Sequence, residues 1–288
     1  NRGSGLQEFV TDPSPPKSIN RGILSMNVNE KTIWVTGASS GIGKALAIHL
    51  SRRGARLILS ARSAERLEEC RHACANPDQH VVLPLDLTDA ASLEKSSALA
   101  LEKYGPIDIL VNNGGISQRS LAVETGLAVD RRIMEVNFFG AITLTKLVLP
   151  SMLSRQSGHI VVVSSVVGKF GTPFRSSYAA SKHALHGFFE SLRAELWSLG
   201  IRVTMVCPGF VRTHISVNAL KGDGSTLGSM DAAQAAGMDP ETCAETIVRA
   251  VEAERNEIYI GGKEKLGVYL QRFVPGLFAR IIRKTKVR

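Results

Sequence analysis

The sequence predicts an α/β fold: a single doubly wound domain built on a seven-stranded parallel sheet flanked by helices. Three observations carry that expectation. From Lys31 onward, short β-branched runs alternate with longer amphipathic stretches, as parallel strands joined by crossover helices require. A glycine-rich turn, Gly37-Ala38-Ser39-Ser40-Gly41-Ile42-Gly43, follows the first run and opens the first amphipathic stretch. No linker and no internal repeat interrupts 31–260, so one continuous sheet is the economical arrangement.

Taken in order, the strands are expected over 32–36, 56–60, 81–84, 107–111, 159–164, 202–206 and 257–260. Each is four to six residues long and rich in Val, Ile, Leu or Thr, the length and composition of a strand buried on both faces. Helices are expected between them over 42–53, 64–75, 90–104, 129–153, 177–199 and 240–252, where the apolar residues recur at helical spacing. The domain so defined spans 30–262. Within it, 214–239 breaks the pattern, because Gly222, Gly224, Gly228 and Gly237 interrupt any periodicity. It follows the sixth strand, beyond whose carboxyl end a ligand would lie, and is expected to be a substrate lid, with a surface insertion as the alternative. The segment 1–29, with Arg2-Gly3-Ser4-Gly5, Pro13, Pro15 and Pro16, is expected to be a mobile leader or an expression linker outside the fold.

The chain has 288 residues, 44% apolar and 21% charged, enough to bury a full core. No apolar run approaches the roughly 20 residues of a membrane span, and the longest, 141–153, is interrupted by Lys146 and Pro150. Cys70, Cys74, Cys207 and Cys243 have neither paired C-x2-C spacing nor a matching histidine array, so reduced thiols, a cytoplasmic compartment and no metal are expected. The formal net charge is +9, and much of the excess lies in a basic amphipathic extension, 263–288. No zinc-finger, RNA-binding or helix-turn-helix pattern accompanies it, so nucleic acid is not expected. In 267–288, Leu270, Phe273, Val274, Leu277, Phe278, Ile281 and Ile282 stand among arginines and lysines, broken by Pro275-Gly276. Such a segment suits peripheral membrane contact or packing on the domain or a second subunit.

The chemistry is carried by Ser165, Tyr178 and Lys182 in an S-x12-Y-x3-K array at the end of the fifth strand and the start of a helix. Tyrosine and lysine four apart share a helix face, where an ammonium can lower the pKa of a phenol from about 10 toward working pH. The glycine turn, the strand-end pairs Asp86-Leu87 and Asn113-Gly114-Gly115, and Pro208-Gly209-Phe210-Val211-Arg212-Thr213 after the sixth strand precede or follow it in order. Together these resemble the short-chain dehydrogenase/reductase family, over about Lys31 to the carboxyl terminus. The G-x3-G-x-G spacing, the Asn-Asn-Gly-Gly run with glycine in place of the usual alanine at 114, and the tyrosine-lysine pair are the family's motifs. The stretches Pro173-Phe174-Arg175-Ser176-Ser177-Tyr178 and Ile215-Ser216-Val217-Asn218-Ala219 resemble its member 7 subgroup, which neighbours the hydroxysteroid dehydrogenases.

The resemblance implies a Rossmann-type domain and a nicotinamide cofactor held by Gly37, Ser39, Ser40, Gly41, Ile42, Gly43, Asp86, Leu87, Asn113, Gly114, Gly115, Tyr178, Lys182, Pro208, Gly209, Val211 and Thr213. It implies that Tyr178 is the general acid or base, that Ser165 binds the substrate oxygen, that Lys182 binds the nicotinamide ribose and acidifies Tyr178, and that Asn137 holds a relay water. It also implies a homodimer or homotetramer. Ala61 stands where NAD-selective relatives carry an acid, and Arg62 beside it can pair with a 2′-phosphate, so NADP(H) is expected over NAD(H). Val166, Val167, Phe170, Phe174 and Phe210 suggest an apolar pocket for a lipid-like or steroid-like carbonyl or alcohol, with Phe174 and Phe210 against the substrate. A 3-oxoacyl-carrier-protein reductase and a non-catalytic NADP(H) sensor or scaffold are the competing readings.

Overall fold

The computed structural model describes residues 26–285. Most of the expected leader lies outside the described residues. Its last part does not: Val28 is fully buried in the core and the Met26 N–H donates to the Glu252 carbonyl at 2.7 Å, so the domain begins before residue 30.

In chain order the elements are β1 (Thr32–Thr36), α1 (Gly41–Arg52), β2 (Arg56–Ser60), α2 (Ala64–Ala73), β3 (Val81–Val82), α3 (Ala90–Tyr104), β4 (Ile109–Asn112), α4 (Leu127–Met134), α5 (Gly140–Arg155), β5 (Gly158–Val163), α6 (Ser176–Leu196), β6 (Ile201–Pro208), α7 (Ala232–Ala235), α8 (Pro240–Glu252), β7 (Glu257–Ile260), α9 (Leu266–Phe273) and α10 (Pro275–Ile282). The seven strands form one parallel sheet in the order β3-β2-β1-β4-β5-β6-β7. The order reverses between β1 and β4, and the crevice at their carboxyl ends is where such sheets bind ligands.

Side chains alternating along the strands build a core on each face. Ile33 and Val35 of β1 pack with Leu46 and Leu50 of α1 and Ile247 and Val251 of α8. Trp34, between them, faces the other way, with Leu144 and Val148 of α5 and Phe189 of α6. The indole N–H donates to Ser60 Oγ at 2.8 Å, and Ser60 Oγ donates to the Leu83 carbonyl at 2.6 Å, so the polar atoms of this buried cluster are satisfied.

Side-chain caps fix several helix starts: Ser63 accepts from the Arg66 N–H, Asp89 from the Ser92 N–H, and Asp239 from the Glu241 N–H with Pro240 at the first helical position. The third strand is shorter than expected over 81–84. The N–H groups of Leu83 and Leu85 still donate to Leu59 and Ala61, but Pro84 between them has no N–H, and the regular ladder stops.

Two further departures concern the site. The helix expected over 129–153 runs as α4 and α5 joined by a π-helical segment, Glu135–Phe139. Counted through that segment it is 29 residues, Leu127–Arg155, and by length and composition alone it could cross a membrane, which corrects the expectation that nothing so long and apolar exists. Here one side of it covers the sheet, with Leu144, Val148 and Met152 fully buried. The excursion expected over 214–239 is tied down, since Ser216, Ala219, Leu220 and Gln234 are buried and the Arg119–Asp231 ion pair, at 2.6 Å, is sealed beneath it.

Candidate active site

A cavity of about 1330 Å³ runs along the carboxyl ends of β1, β4, β5 and β6. One end of it is the glycine turn. Gly37 takes a left-handed φ of 66°, and a Cβ there would lie 2.9 Å from Asn113 Nδ2 and from Gly114 Cα, so any side chain would be both strained and crowded. A Cβ on Gly43 would collide with the Gly37 carbonyl oxygen, so α1 can begin against the turn only with glycine there.

Asn113 fastens the turn to β4. Its side-chain amide donates to the Thr36 carbonyl at 2.9 Å, while Thr36 Oγ1 accepts the N–H groups of Asn113 and Gly114, each at 3.0 Å. The glycine at 114 has a local reason, because a Cβ would come 2.6 Å from Leu87 Cδ1. The smaller residue makes room for Leu87. Asp86 is held in a turn, its Oδ1 accepting from the Thr88 N–H and hydroxyl at 2.9 Å each.

Ser39, Ser40, Gly41, Ile42, Ala61, Arg62, Asp86, Leu87, Gly115, Pro208, Gly209, Val211 and Thr213 line the same cavity, and Thr213 packs where a Gly41 Cβ would lie, at 3.0 Å. A cradle closed to side chains, opening on a helix N-terminus, fits the pyrophosphate of a dinucleotide. Arg66, one turn into α2, lines it beside Arg62.

Further along the cavity stand Ser165, Tyr178 and Lys182. Ser165 stands two residues past β5, where its hydroxyl donates to the Pro208 carbonyl at 3.2 Å and accepts the Val167 N–H at 3.3 Å; it is close enough to Tyr178 to help hold down the pKa of the phenol. Ser164 turns elsewhere, donating to the Lys182 carbonyl at 3.3 Å. The spacing that singles out Ser165 therefore agrees with the geometry.

Lys182 Nζ lies 5.8 Å from the Tyr178 ring centroid and donates to the Val163 carbonyl at 2.8 Å. Burial lowers its pKa to about 8, whereas burial raises that of the Tyr178 phenol. The influences opposing that rise are, largest first, the guanidinium of Arg175, the nearby Ser165 hydroxyl and the guanidinium of Arg119. The Lys182 ammonium, which the sequence points to as the acidifying charge, is given to a strand carbonyl here, and Arg175 and Arg119 also hold down the pKa of the phenol.

Asn137 lies in the π-helical segment and is 1% exposed. Its amide nitrogen donates to the Ile116 carbonyl and to Ser181 Oγ, both at 2.9 Å, and its oxygen accepts the Ile116 N–H at 2.8 Å. Both donors are thus committed within the protein, holding the backbone just after Gly115, and Asn137 does not line the cavity as a side chain holding a water would. A π segment re-aims one residue of a helix, and the sequence carries no local mark of it beyond the ordinary helical residues around it.

The substrate end departs most from expectation. Phe210 lines the cavity with Val166, Val167 and Phe170, but Phe174 does not. Phe174 has a left-handed φ of 64° and its carbonyl accepts the Ser120 N–H, and its neighbour Arg175 enters the wall in its place. The extension is also part of the wall: Leu266, Leu270, Phe278 and Ile281 line it, and Phe278 stacks edge-on against Phe170 with centroids 5.0 Å apart. Glu264 anchors it, accepting the N–H groups of Phe210 at 3.2 Å and Gly262 at 3.0 Å.

Behind β6, His186, Cys207 and Glu257 present ligand atoms within 4.8 Å of one another. Lys169 donates to Glu257 at 2.8 Å and to Glu190 at 3.1 Å, so an ammonium already supplies the cation there.

Comparison with known proteins agrees with this arrangement. The family model described as short chain dehydrogenase matches residues 31–223. A dehydrogenase/reductase SDR family protein 7-like from Anopheles gambiae is 43% identical over 265 residues, 90% of this chain and 84% of the relative. Among solved structures, a short-chain dehydrogenase from Streptomyces avermitilis superposes with a TM-score of 0.77 at 31% identity, covering 91% of this chain and all of the other. An alcohol dehydrogenase from the archaeon Thermococcus sibiricus, complexed with 5-hydroxy-NADP, does so with a TM-score of 0.69 at 27% identity over 81% and 97% of the two chains.

Proposed function

The chain belongs to the short-chain dehydrogenase family and is an oxidoreductase; from that premise we propose that it interconverts a carbonyl and an alcohol on a hydrophobic substrate with NADP(H). The single observation that carries the reading is the buried Tyr178 phenol lining, with Ser165 and Lys182, the cavity that the glycine cradle opens into. A phenol in that position delivers a proton to a carbonyl oxygen or removes one from an alcohol, and the Ser165 hydroxyl steadies the oxygen as its charge changes.

The residues fit a dinucleotide, which supplies or accepts the hydride when bound. Gly37, Ser39, Ser40, Gly41 and Ile42 hold its pyrophosphate, with Gly43 letting α1 begin against the turn. Asp86 and Leu87 flank its adenine, and Asn113, Gly114 and Gly115 leave room for its backbone-facing side. Lys182 orients its nicotinamide ribose, and Pro208, Gly209, Val211 and Thr213 its carboxamide. Asn137 acts as a positioning residue for the 115–116 backbone.

Preference for the 2′-phosphate rests on Arg62, now joined by Arg66, with no acidic side chain at Ala61. The Thermococcus structure, which carries an NADP derivative, supports the same choice. Arg62→Ala should raise the KM for NADPH about tenfold to a hundredfold, as expected for loss of a charged hydrogen bond, and leave that for NADH nearly unchanged. Steady-state kinetics with both cofactors checks this, and equal effects on the two would contradict it.

The apolar wall of Val166, Val167, Phe170, Phe210 and Phe278 supports a lipid-like substrate. Residues of segment 214–239, among them His214, Ile215, Asn218 and Leu220, cover this end of the cavity. The outer face of α9 and α10, with Phe273 76% exposed beside Leu277 and the basic Arg272, Arg280 and Arg283, supports peripheral contact with an anionic membrane from which such a substrate would enter. Phosphatidylglycerol vesicles should carry the full chain upward in a flotation gradient and leave Phe273→Asp/Leu277→Asp at the bottom. Equal flotation of the two would rule the contact out. The family resemblance supports a homodimer or homotetramer, and the exposed Leu127 and Phe139 offer it an apolar face.

A further inference from the structure

The substrate end of the cavity holds more positive charge than the fold requires. Arg119 and Arg175 both line it, and both look to one carboxylate, Asp231. Arg119 is well matched: its guanidinium meets Asp231 at 2.6 Å and also donates to Ser117 Oγ and the Gln118 carbonyl, each at 2.7 Å. Arg175 is not. Its nearest carboxylate oxygen, on the same Asp231, is 3.7 Å away, its Nε and one terminal nitrogen have no hydrogen-bond partner, and its side chain is 8% exposed. The guanidinium also stands over the face of Phe210, whose ring centroid lies 5.4 Å from the guanidinium carbon.

Two buried cations sharing one anion leave a net positive charge in an apolar pocket, an arrangement that costs stability unless something else meets it. A buried guanidinium with open donors is a fork waiting for a planar or tetrahedral anion. Desolvation and the neighbouring Arg119 charge already lower the Arg175 pKa to about 10. That places it among groups that gain most from an incoming negative charge. Its position matters as well, since Arg175 precedes Tyr178 by three residues and is the first of the charges that act on the phenol.

We propose that Arg175, backed by the Arg119–Asp231 pair, binds an anionic group, a carboxylate or a phosphate, carried by the same substrate whose oxygen meets Tyr178. The substrate is then amphiphilic: an apolar chain lies against Phe170, Phe210 and Phe278, and the acidic group lies at the arginine. This inference rests on the carbonyl-reducing reading of the same cavity and narrows it. It gives the buried cation a task that a neutral ketone or steroid would leave undone.

The test is binding to the NADP(H)-loaded chain of three probes with matched chains: dodecanoate, dodecyl phosphate and methyl decyl ketone, by titration calorimetry. One or both anions should bind about tenfold to a hundredfold more tightly than the ketone, the range expected for a charged hydrogen-bonded pair. Which anion binds better identifies the acidic group. Arg175→Met should lose the preference, whereas Arg249→Met, an exposed arginine on α8, should keep it. Arg175→Met should also melt no lower than the parent, because no hydrogen bond of Arg175 is lost.

Equal affinity of the parent chain for all three probes overturns the proposal even if the variant fails to fold. Retention of the preference by Arg175→Met overturns it too. A chain that prefers the anions yet oxidises no NADPH with matched keto acids or keto phosphates keeps this inference and loses the redox reading. Turnover of neutral ketones with no preference for the acids does the reverse.

Discussion

Tyr178→Phe is expected to lower kcat for carbonyl-dependent NADPH oxidation by roughly a hundredfold to ten-thousandfold, the range removed when a positioned acid or base is lost. The ring stays and the hydroxyl goes, so the packing of Tyr178 against Val166, Val167 and Ala179 is kept. The cofactor cradle lies on other elements and should be unaffected, and NADPH should bind within about threefold of the parent. Fluorescence titration of NADPH beside the kinetic assay separates the two effects. If Tyr178→Phe turned over at the parental rate, the proton would have to come from another group, and the assignment of Tyr178 as acid or base would fall.

Lys182→Met should damage activity and improve stability. The ammonium is 4% exposed and its folded pKa is about 8 against 10.5 for the free side chain, so the folded state disfavours the charged form. For a base whose pKa falls on folding, the penalty is fully present below pH 8, where both states are protonated. It is relieved as pH rises from about 8 to 10.5, where the unfolded chain holds the proton that the folded one has released. The shift corresponds to something on the order of 3 kcal/mol. Losing the bond to the Val163 carbonyl would cost back about 1–3 kcal/mol. Lys182→Met should therefore melt at or above the parent at pH 7, with an advantage that shrinks toward pH 10, and should bind NADPH several-fold more weakly with little turnover. A variant less stable than the parent at pH 7 and equally so at pH 10 would show that the ammonium is not held against its solvation. Such a cost retained in the fold is what a site selected for function leaves behind.

How much of this was legible in the sequence depends on whether the determinant was local. Strands such as 32–36 and 56–60 were readable to the residue because β-branched runs bounded by glycine and polar residues admit one period. Ser165 was distinguishable from Ser164 by resemblance, because it has the family's spacing to the tyrosine. What could not be read arose from contacts between distant segments. Phe174 was expected in the wall on hydrophobicity, but its left-handed backbone takes it elsewhere and brings Arg175 in. Glu264, in the basic extension, binds the loop at Phe210, over fifty positions away in sequence. That the Lys182 ammonium also reaches back to the carbonyl of Val163 on the neighbouring strand could not be read from its place on the helix. The one signal that could have warned of Arg175 is an arginine in a stretch otherwise apolar or small, just before the catalytic tyrosine.

The glycine at 114 carries a related lesson. It stands where the family carries alanine, and the structure fills the space of the missing methyl with Leu87 from the loop after β3. A departure from a family pattern is often paired with a compensation elsewhere in the fold, visible only when the two segments are seen together.

The most direct measurement is the change in NADPH absorbance when the purified chain is given a panel of hydrophobic ketones, aldehydes and keto acids, repeated with NADH. The account predicts substrate-dependent oxidation of NADPH by at least one of them, with kcat/KM at least about tenfold above that for NADH and greatest for a long-chain keto substrate bearing an acidic group. A chain that binds NADPH but oxidises it with none of the panel, and that reduces NADP+ with none of the corresponding alcohols, would contradict it.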